Sequence, residues 1–474
     1  MLNHFRLLVI LFLLCLPTGI TTVKAQRPQP EPVWQSNILY YNPNDETVGI
    51  SVTYYKEDGS LVDQPALLPS IPPGGSGSLL IGGIERGSAV ITSSLPIFTL
   101  YEQVSASVPQ SRPVYAGLLP EQASDRLFVP AFFFGYQDST TQSILSTTLG
   151  IQNTGSTALS VTVIADGKSP ATLQIPAKSA TLVDGQKLGL PAGYKGGLHF
   201  SAASPDLLAA AITHEQNGPR AFAYEAAGKE MGGTTLTFPQ LACDRSSAQQ
   251  WTKLFIQSAN PTTVTVDFFT NTGVSIKPRS AAAFTALPVS SSQTLEIDPC
   301  SDPGLAGRYG TLRVTSAGET IYGISYINST SGAASMRKPA ADHPEGGSYQ
   351  YVLPYVVWTH LYYPAYTYLS IVNAGSTPAN IDVQYLLPNG EPANNRAPSE
   401  KITRLPSNAV RVSSPQTGRA LMLGPANSIF GANGFFRGSV RIVSDQPLLV
   451  NSRIDRTIRG KIYSESYSAF ADQP

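Results

Sequence analysis

The sequence predicts an all-β fold, with four tandem immunoglobulin-like β-sandwich modules that follow a signal peptide. Three observations predict it. The N-terminus carries a short apolar segment before a cleavage-type sequence, the rest of the 474-residue chain is rich in turn formers, and one ordered set of landmarks occurs four times. Charged residues make up only 14% of the chain and proline occurs 38 times, which favours strands joined by turns over long helices.

Residues 1–25 have the organisation of a signal peptide. His4 and Arg6 precede an apolar run from Leu7 to Leu16, and small residues at Val23 and Ala25 precede Gln26. The run is too short to cross a bilayer as a helix, which takes about 20 residues. We therefore expect cleavage before Gln26 and a secreted or extracellular cell-surface location. An uncleaved membrane anchor is the alternative.

Four landmarks then recur in the same order. Each copy has an apolar strand that ends in an Asn turn, at Asn42, Asn153, Asn260 and Asn373. An alternating strand follows and ends in a Gly turn, at Gly59, Gly167, Gly273 and Gly390. Next come an apolar residue before Pro, at Pro72, Pro176, Pro288 and Pro406, and a Gly-led strand, from Gly87, Gly197, Gly310 and Gly438. Asn and Gly at such positions favour tight turns, so the landmarks predict hairpins.

Each stretch of about 110 residues is long enough to enclose its own hydrophobic core. We predict a signal peptide at 1–25 and sandwich modules at 26–122, 123–231, 232–344 and 345–474. Near the start of three modules a strand-like run ends at Pro, and we assign it as the first strand: Arg126–Pro130, Thr235–Pro239 and Tyr351–Pro354. The first module has a Pro-alternating segment, residues 27–32, in that place.

These landmarks resemble those of bacterial exported proteins with tandem Ig-like repeats. The stretch from Asn153 to Val163, an Asn-x-Gly turn before an alternating Val strand, is similar to repeats of cell-surface adhesion and spacer domains. The closing run from Gly438 to Leu448 resembles the late strands of such modules. The resemblance implies an extracellular location and a non-catalytic role, and it assigns no functional residue.

Charge limits the classes of partner that the chain could bind, and the cysteine content predicts a disulfide. Without residues 1–25 the chain has 30 Lys and Arg against 32 Asp and Glu, and no basic stripe that would suit nucleic acid. No second apolar stretch is long enough to span a membrane. Cys243 and Cys300 remain, and in an oxidising compartment we expect them to form a disulfide. Two free buried thiols are the alternative.

No set of residues has the pattern of a catalytic site, and none implies a cofactor or a metal. Glu296, Asp298 and Asp302 could bind Ca²⁺ through their oxygens, but a solvated loop beside Cys300 is the favoured interpretation. The candidate binding residues are aromatic: Tyr355, Trp358, Tyr362, Tyr363 and Tyr366. These rings, like those of residues 132–136, would either stack on a ligand or pack the joints between modules, and joints are favoured.

We therefore expect an extracellular, non-enzymatic structural or adhesive protein of a bacterial surface, with filament or surface-layer assembly as one form of that role. Modules in series would make a rod in which each copy contacts mainly its neighbours. The partners would be proteins or glycans at the cell surface, or other copies of the chain. A carbohydrate-binding protein that uses the aromatic residues of the fourth module is the alternative. A secreted hydrolase with dispersed carboxylates is the second alternative.

Overall fold

A computed structural model describes most of the chain, and Trp34–Pro474 forms one compact unit. The described residues are 34–62, 66–67, 70–81, 87–105, 112–139, 141–216, 221–244, 250–291, 293–329, 334–337, 349–359, 364–394, 399–418, 435–458 and 461–472. Strands dominate these residues and no α-helix occurs among them, so the all-β prediction is confirmed. The predicted signal peptide and two candidate aromatics, Tyr362 and Tyr363, lie outside the described residues.

Consecutive strands form four groups, and in the part of the chain described no strand of one group pairs with a strand of another. The first group holds β1 (Trp34–Tyr41), β2 (Ile50–Lys56), β3 (Ala66–Leu67), β4 (Ser76–Ile81), β5 (Gly87–Ser93), β6 (Phe98–Ser105) and β7 (Val114–Ala116). The second group holds β8 (Arg126–Phe134), β9 (Tyr136–Gln137), β10 (Ile144–Asn153), β11 (Leu159–Ala165), β12 (Ala171–Ile175), β13 (Ala180–Val183), β14 (Tyr194–Ala202), β15 (Leu207–Glu215), β16 (Ala221–Glu225) and β17 (Ala227–Gly228).

The remaining strands form two larger groups. The third group holds β18 (Thr235–Asp244), β19 (Gln250–Ser258), β20 (Thr262–Thr270), β21 (Ser275–Ile276), β22 (Leu287–Val289), β23 (Leu295–Ile297), β24 (Tyr309–Ser316), β25 (Ile321–Ser329) and β26 (Ala334–Arg337). The fourth group holds β27 (Tyr349–Thr359), β28 (Ala365–Asn373), β29 (Ala379–Leu386), β30 (Glu400–Leu405), β31 (Val410–Ser413), β32 (Phe436–Ser444), β33 (Leu448–Ile458), β34 (Lys461–Ser468) and β35 (Phe470–Asp472). The predicted boundary at 122/123 lies between β7 and β8, that at 231/232 lies between β17 and β18, and that at 344/345 lies outside the described residues.

The strands are arranged as β-sandwich-like sheet pairs. In the second group one sheet has the order β13-β10-β15-β16 and the other has the order β12-β11-β14-β8-β17. Alternate side chains of the facing strands are buried between the sheets, as in β11, where Val161 and Val163 are buried. In the third group β18 takes part in both sheets, because it pairs first with β24 and then, at Cys243, with Trp251 of β19. β27 does the same in the fourth group.

The predicted first strands exist as β8, β18 and β27, but they do not end at their prolines. Each continues past the proline through a bulge: the pairing of β18 with β24, for example, skips from Phe238 to Leu241. Pro239 lies inside this bulge, where the ladder needs no N–H donor. β8, β18 and β27 pair with β14, β24 and β32 respectively. In the described part of the first group, no strand pairs with β5 on the corresponding side.

The Asn landmark is a buried hydrogen-bonding device in three groups. The side-chain amide of Asn153 donates to three backbone carbonyls, the farthest being that of Ile175 at 3.2 Å. Its Oδ1 accepts the backbone N–H of Gly155 at 2.9 Å. Asn42 and Asn373 are equally buried and bond in the same way to the turn that follows and to the landmark before Pro. One residue therefore ties the Asn turn to a distant strand.

The third group departs from this pattern: a strand ends in a turn at Asn260, as predicted, but Asn260 is not the equivalent of the three buried Asn residues. Ser258 pairs with Ile321 in the register in which Asn153 pairs with Leu207, so Ser258 occupies the buried position. Asn260 is exposed and donates instead to Glu319. An Asn-Pro sequence marks a turn whether or not the Asn side chain is buried, and this is why the pattern misled.

Candidate functional site

The Gly turns serve as docking elements as well as hairpin ends. All four glycines have positive φ, at +83°, +67°, +81° and +85°. Each turn lies against the loop that follows the landmark proline of the next group, which we call the Pro loop. The turn at Gly59 meets Ala177, that at Gly167 meets Thr294 through Asp166, that at Gly273 meets Ser407, and that at Gly390 meets Gly74. The four docking contacts thus join corresponding parts of the groups, but at Gly167 nothing lies near the glycine itself and the contact is the hydrogen bond to Asp166.

Hydrogen bonds hold these joints together. The N–H of Val410 donates to the Asn271 carbonyl at 3.0 Å, and the N–H of Ser76 donates to the Pro388 carbonyl at 2.9 Å. The second of these bonds joins the fourth group to the first. The expectation of a rod in which contacts run mainly between chain neighbours is therefore wrong, because the contacts form a closed cycle.

The last strands of the groups also lie together. β7 lies beside β16 and β34, and β26 lies beside the same two strands. Each group thus brings one edge to a common junction, which none of the groups would build alone. The charged side chains that enter this junction are the most unusual feature of the described residues.

Four charged residues, which we call the closing cluster, join the first and fourth groups at this junction: Glu102, Arg112, Arg456 and Glu465. Arg456 donates from Nε to Glu465 at 2.9 Å and from Nη2 to Glu102 at 3.4 Å. Arg112 donates from its backbone N–H to Glu465 at 3.1 Å and from Nη1 to Glu102 at 3.3 Å. Glu102, Arg456 and Glu465 are buried. The two ends of the described chain are fastened by one ion pair, between Arg456 and Glu102, and by one hydrogen bond, from the Arg112 N–H to Glu465, and each joins residues more than 350 positions apart.

Burial and charge act against each other in this cluster. Burial raises the pKa of Glu465 to about 7; Arg456 and Arg112 act in the opposite direction, and Glu102 acts in the same direction as burial. Burial disfavours the charged form of Arg456, but Glu465, Tyr355 and Glu102 outweigh it and raise the pKa of this guanidinium. Arg456 is therefore charged at every relevant pH, and the carboxylates depend on it.

Aromatic and acidic side chains surround the closing cluster. The ring of Tyr101 lies 4.7 Å from that of Tyr115, centroid to centroid. Burial raises the pKa of Tyr115 well above its ordinary value, and Tyr101 and Glu225 add to the effect. Glu225, from the second group, accepts the backbone N–H of Ala116. The junction thus holds neutral phenols and paired carboxylates, an arrangement that fixes strands in place.

The predicted disulfide is confirmed. Cys243 and Cys300 are bonded; they lie 57 positions apart in the sequence, and their Cα atoms are 5.0 Å apart. Both are buried in the core of the third group. The bond ties β18 to the short 3-10 helix Pro299–Ser301.

The acidic residues near Cys300 do not gather around a common point. Glu296 pairs with Lys195 of the second group and with Lys253 at 3.0 Å. Burial alone would raise the pKa of Glu296, but the two lysines outweigh burial and lower this pKa below its ordinary value. Asp302 accepts the N–H groups of Arg279 and Ser280. Within the described ranges, no group of three His, Cys, Asp or Glu side chains could hold a metal ion.

The candidate aromatic residues do not form an open platform. Trp358 is only 5% exposed, and the rings of Tyr366 and Tyr368 meet it edge-on at 4.9 and 5.7 Å. Tyr355, Tyr366 and Tyr368 are half-buried. A buried indole cannot stack on a sugar, so the role suggested for Trp358 as a binding residue is wrong for the conformation described. The half-buried tyrosines are not excluded by this observation.

The first aromatic run packs a joint. Phe132 and Phe133 are buried, and the ring of Phe133 meets Phe255 of the third group edge-on at 6.0 Å. The neighbouring rings of Phe128 and Tyr322 stack at 3.9 Å between the same two groups. The interpretation of these rings as joint-packing residues is therefore supported for the second and third groups.

Sequence reasoning missed the closing cluster. Arg456 and Glu465 lie in strands where every second residue is expected to be apolar, and charges at such positions are the only signal that could have pointed to them. The partners Glu102 and Arg112 come from the other end of the chain. No local spacing connects the two pairs.

Comparison with known proteins adds little. No family model and no curated protein matches the chain. Among solved structures, the protein titled "Crystal Structure of Thermotoga maritima 1070" is 14% identical, covers 23% of this chain and 97% of its own, and has a TM-score of 0.19. A likeness of this degree carries no argument. No helix among the described residues is long and apolar enough to cross a membrane.

Proposed function

We propose that the protein is an extracellular, non-enzymatic structural or adhesive protein of a bacterial cell surface, built from four immunoglobulin-like sandwich modules. Each module corresponds to one strand group. The observation that carries the proposal is that the unusual polar and aromatic residues lie in the joints between groups. Repeated modules fastened at every joint make a scaffold that holds its surfaces at fixed positions, which suits adhesion or assembly.

The closing cluster supports this proposal. Removing two carboxylates and a guanidinium from water costs several kcal/mol per ion, on the order of the stability of a small domain. Paired buried charges tolerate few alternative arrangements, so they favour one fixed geometry over maximal stability. A protein that presents surfaces to partners depends on such a geometry.

The proposal is tested on the full chain, expressed with residues 1–25 in a bacterial host. We expect the protein in the exported fraction with Gln26 at its N-terminus, and cells that display it should adhere to a surface or to one another more than cells with an empty vector. A variant that carries Lys in place of Val9 and Leu11, inside the apolar run, is the matched control and should stay in the cytoplasm. Cytoplasmic retention of the natural chain would contradict the proposal.

The two alternatives give different results in assays of the purified residues 26–474. A carbohydrate-binding protein would bind glycans on an array, and Tyr366→Ala would abolish that binding while Tyr349→Ala would not. A hydrolase would turn over a polysaccharide or peptide substrate. Saturable glycan binding that depends on Tyr366 would favour the first alternative, and substrate turnover would overturn the non-enzymatic role.

A further inference from the structure

Three of the four groups fill the same place with the same kind of strand. β8, β18 and β27 lie along β14, β24 and β32, where Leu127 is opposite Phe200, Leu236 is opposite Val314, and Tyr351 is opposite Ile442. All six of these side chains are buried, none more than 4% exposed. The first strand of the group, β8, β18 or β27, therefore closes one side of the core in each of these groups.

The first group has the acceptor but, in its described residues, not this strand. Ile91 of β5 is opposite Val52, as Phe200 is opposite Val163, so Ile91 takes the place of Phe200. Ile91 and Ala89 are only half-buried, and so are Leu79 and Ile81 on the facing sheet. Apolar side chains that are fully covered in the second, third and fourth groups are thus partly open at the corresponding positions of the first group.

The backbone of β5 is oriented to accept a strand. The N–H of Ser94 donates to the Gly49 carbonyl at 3.1 Å, on the β2 side. Because successive peptide groups of a strand point to opposite edges, those of Ala89, Ile91 and Ser93 point to the outer edge. In the described residues β5 pairs with β2 alone, and β13 of the second group approaches it without pairing. Among the described residues, the outer edge of β5 is therefore a sheet edge with no paired strand, and β13 lies beside it.

We propose that the outer edge of β5 binds an extended segment of another protein, which adds antiparallel to β5 as the missing strand of the first group. The segment would carry apolar side chains at alternate positions, as Leu236 and Phe238 do in β18. Backbone hydrogen bonds to the edge would supply affinity, and the two apolar side chains would supply selectivity. The choice of another protein as the occupant rests on the predicted cleavage of residues 1–25, but not on a structural or adhesive role.

The register argues against the chain's own N-terminal segment as the occupant. Leu127 precedes Asn153 by 26 positions, and Leu236 precedes Ser258, its structural equivalent, by 22. The same offsets from Asn42 reach Leu16 and Ile20, which belong to the predicted signal peptide. Residues 27–32 are a poor substitute, because proline at every second position removes the N–H donors and leaves no alternating apolar face.

The test uses residues 26–474 and a fluorescein-labelled peptide with the sequence of residues 234–240, which includes Leu236 and Phe238. We expect saturable binding by fluorescence anisotropy, at least about tenfold weaker for the peptide with Asp at both apolar positions. Ile91→Lys should weaken binding by at least about tenfold, whereas Thr92→Lys, on the exposed face of the same strand, should not change it. Hydrogen exchange of residues 87–95 should slow when the peptide is bound.

A second variant keeps the test valid if Ile91→Lys does not fold. Ser93→Pro removes an outward N–H without breaking a bond to β2, and it should abolish peptide binding while leaving the circular dichroism spectrum unchanged. Absence of saturable binding, or equal binding by the blocked variants, would overturn the proposal. The proposal would also be overturned if residues 87–95 of the free protein were as protected from hydrogen exchange as residues 197–204. That result would indicate that the chain's own N-terminal segment covers β5. Self-association that Ile91→Lys abolishes would indicate a second copy instead.

Discussion

Replacing Arg456 with Met should detach the first strand group from the fourth. The guanidinium lies 2.8 Å from Glu465 and 3.4 Å from Glu102, and its side chain is only 7% exposed. After the substitution Glu102 keeps Asn37 and the half-exposed Arg112 as donors. Glu465 keeps only the backbone N–H of Arg112 among its donors in the closing cluster. The loss of hydrogen-bond donors therefore falls mainly on the buried carboxylate of Glu465.

The magnitude follows from this asymmetry. A buried carboxylate that loses its cation typically costs about 3–5 kcal/mol of the free energy of unfolding. Glu465→Leu in the same chain removes the unpaired charge, so Arg456→Met with Glu465→Leu should recover most of the loss and come within about 1–2 kcal/mol of the natural chain. The coupling between the two substitutions should be several kcal/mol, on the order of a buried ion pair.

Urea unfolding followed by circular dichroism measures these differences, and hydrogen exchange of β6 and β34 locates them. Arg453→Met is the matched control, because Arg453 lies on the same strand and pairs with Asp455 at 2.9 Å in a more exposed setting. We expect the control to lose less than about 1 kcal/mol. The reasoning is refuted if Arg456→Met costs no more than Arg453→Met, or if Glu465→Leu gives no rescue.

Three further predictions test the parts of the fold. Asn153→Ala should lower the free energy of unfolding by about 3 kcal/mol because it orphans three carbonyls, whereas Asn260→Ala should change it by less than about 0.5 kcal/mol; equal losses would contradict the assignment. Replacing Cys243 and Cys300 with Ala should cost about 4 kcal/mol in urea unfolding, and reduction of the natural chain should cost the same. Burial lowers the pKa of His214 to about 4. The stability that the neutral imidazole contributes above pH 6.5, about 3 kcal/mol, should therefore be lost as the pH falls through 4. His214→Gln should reduce this loss of stability between pH 6.5 and 4 in urea unfolding.

The succession of strands along the chain could be predicted because its signals are local. Turn glycines, the residue before each landmark proline and the first strands all leave short sequence patterns, and the disulfide follows from cysteine count and compartment. The exception at Asn260 has a physical cause. A buried amide and an exposed turn amide look alike in sequence, and only the register with Ile321 reveals that Ser258 takes the buried position.

The joints could not be predicted, because each depends on two patterns about 100 or more residues apart that carry no mark of their pairing. Glu102 and Arg456 are the extreme case, because they lie 354 positions apart in the sequence. Trp358 illustrates the same limit. An aromatic residue at a strand end is equally consistent with a binding platform and with a buried contact, and the edge-on rings of Tyr366 and Tyr368 decide between them.

The closed cycle of docking contacts also limits how the protein could assemble. A contact between unlike surfaces, repeated head to tail, either closes on itself or continues into an open filament. Here the turn at Gly390 lies against the Pro loop at Gly74, so all four turns and all four Pro loops are already occupied. The repeat contact that joins the groups therefore cannot extend to a second molecule. If the protein forms filaments or a surface layer, it must use a different surface, and among the described residues the outer edge of β5 is one sheet edge that can accept another strand.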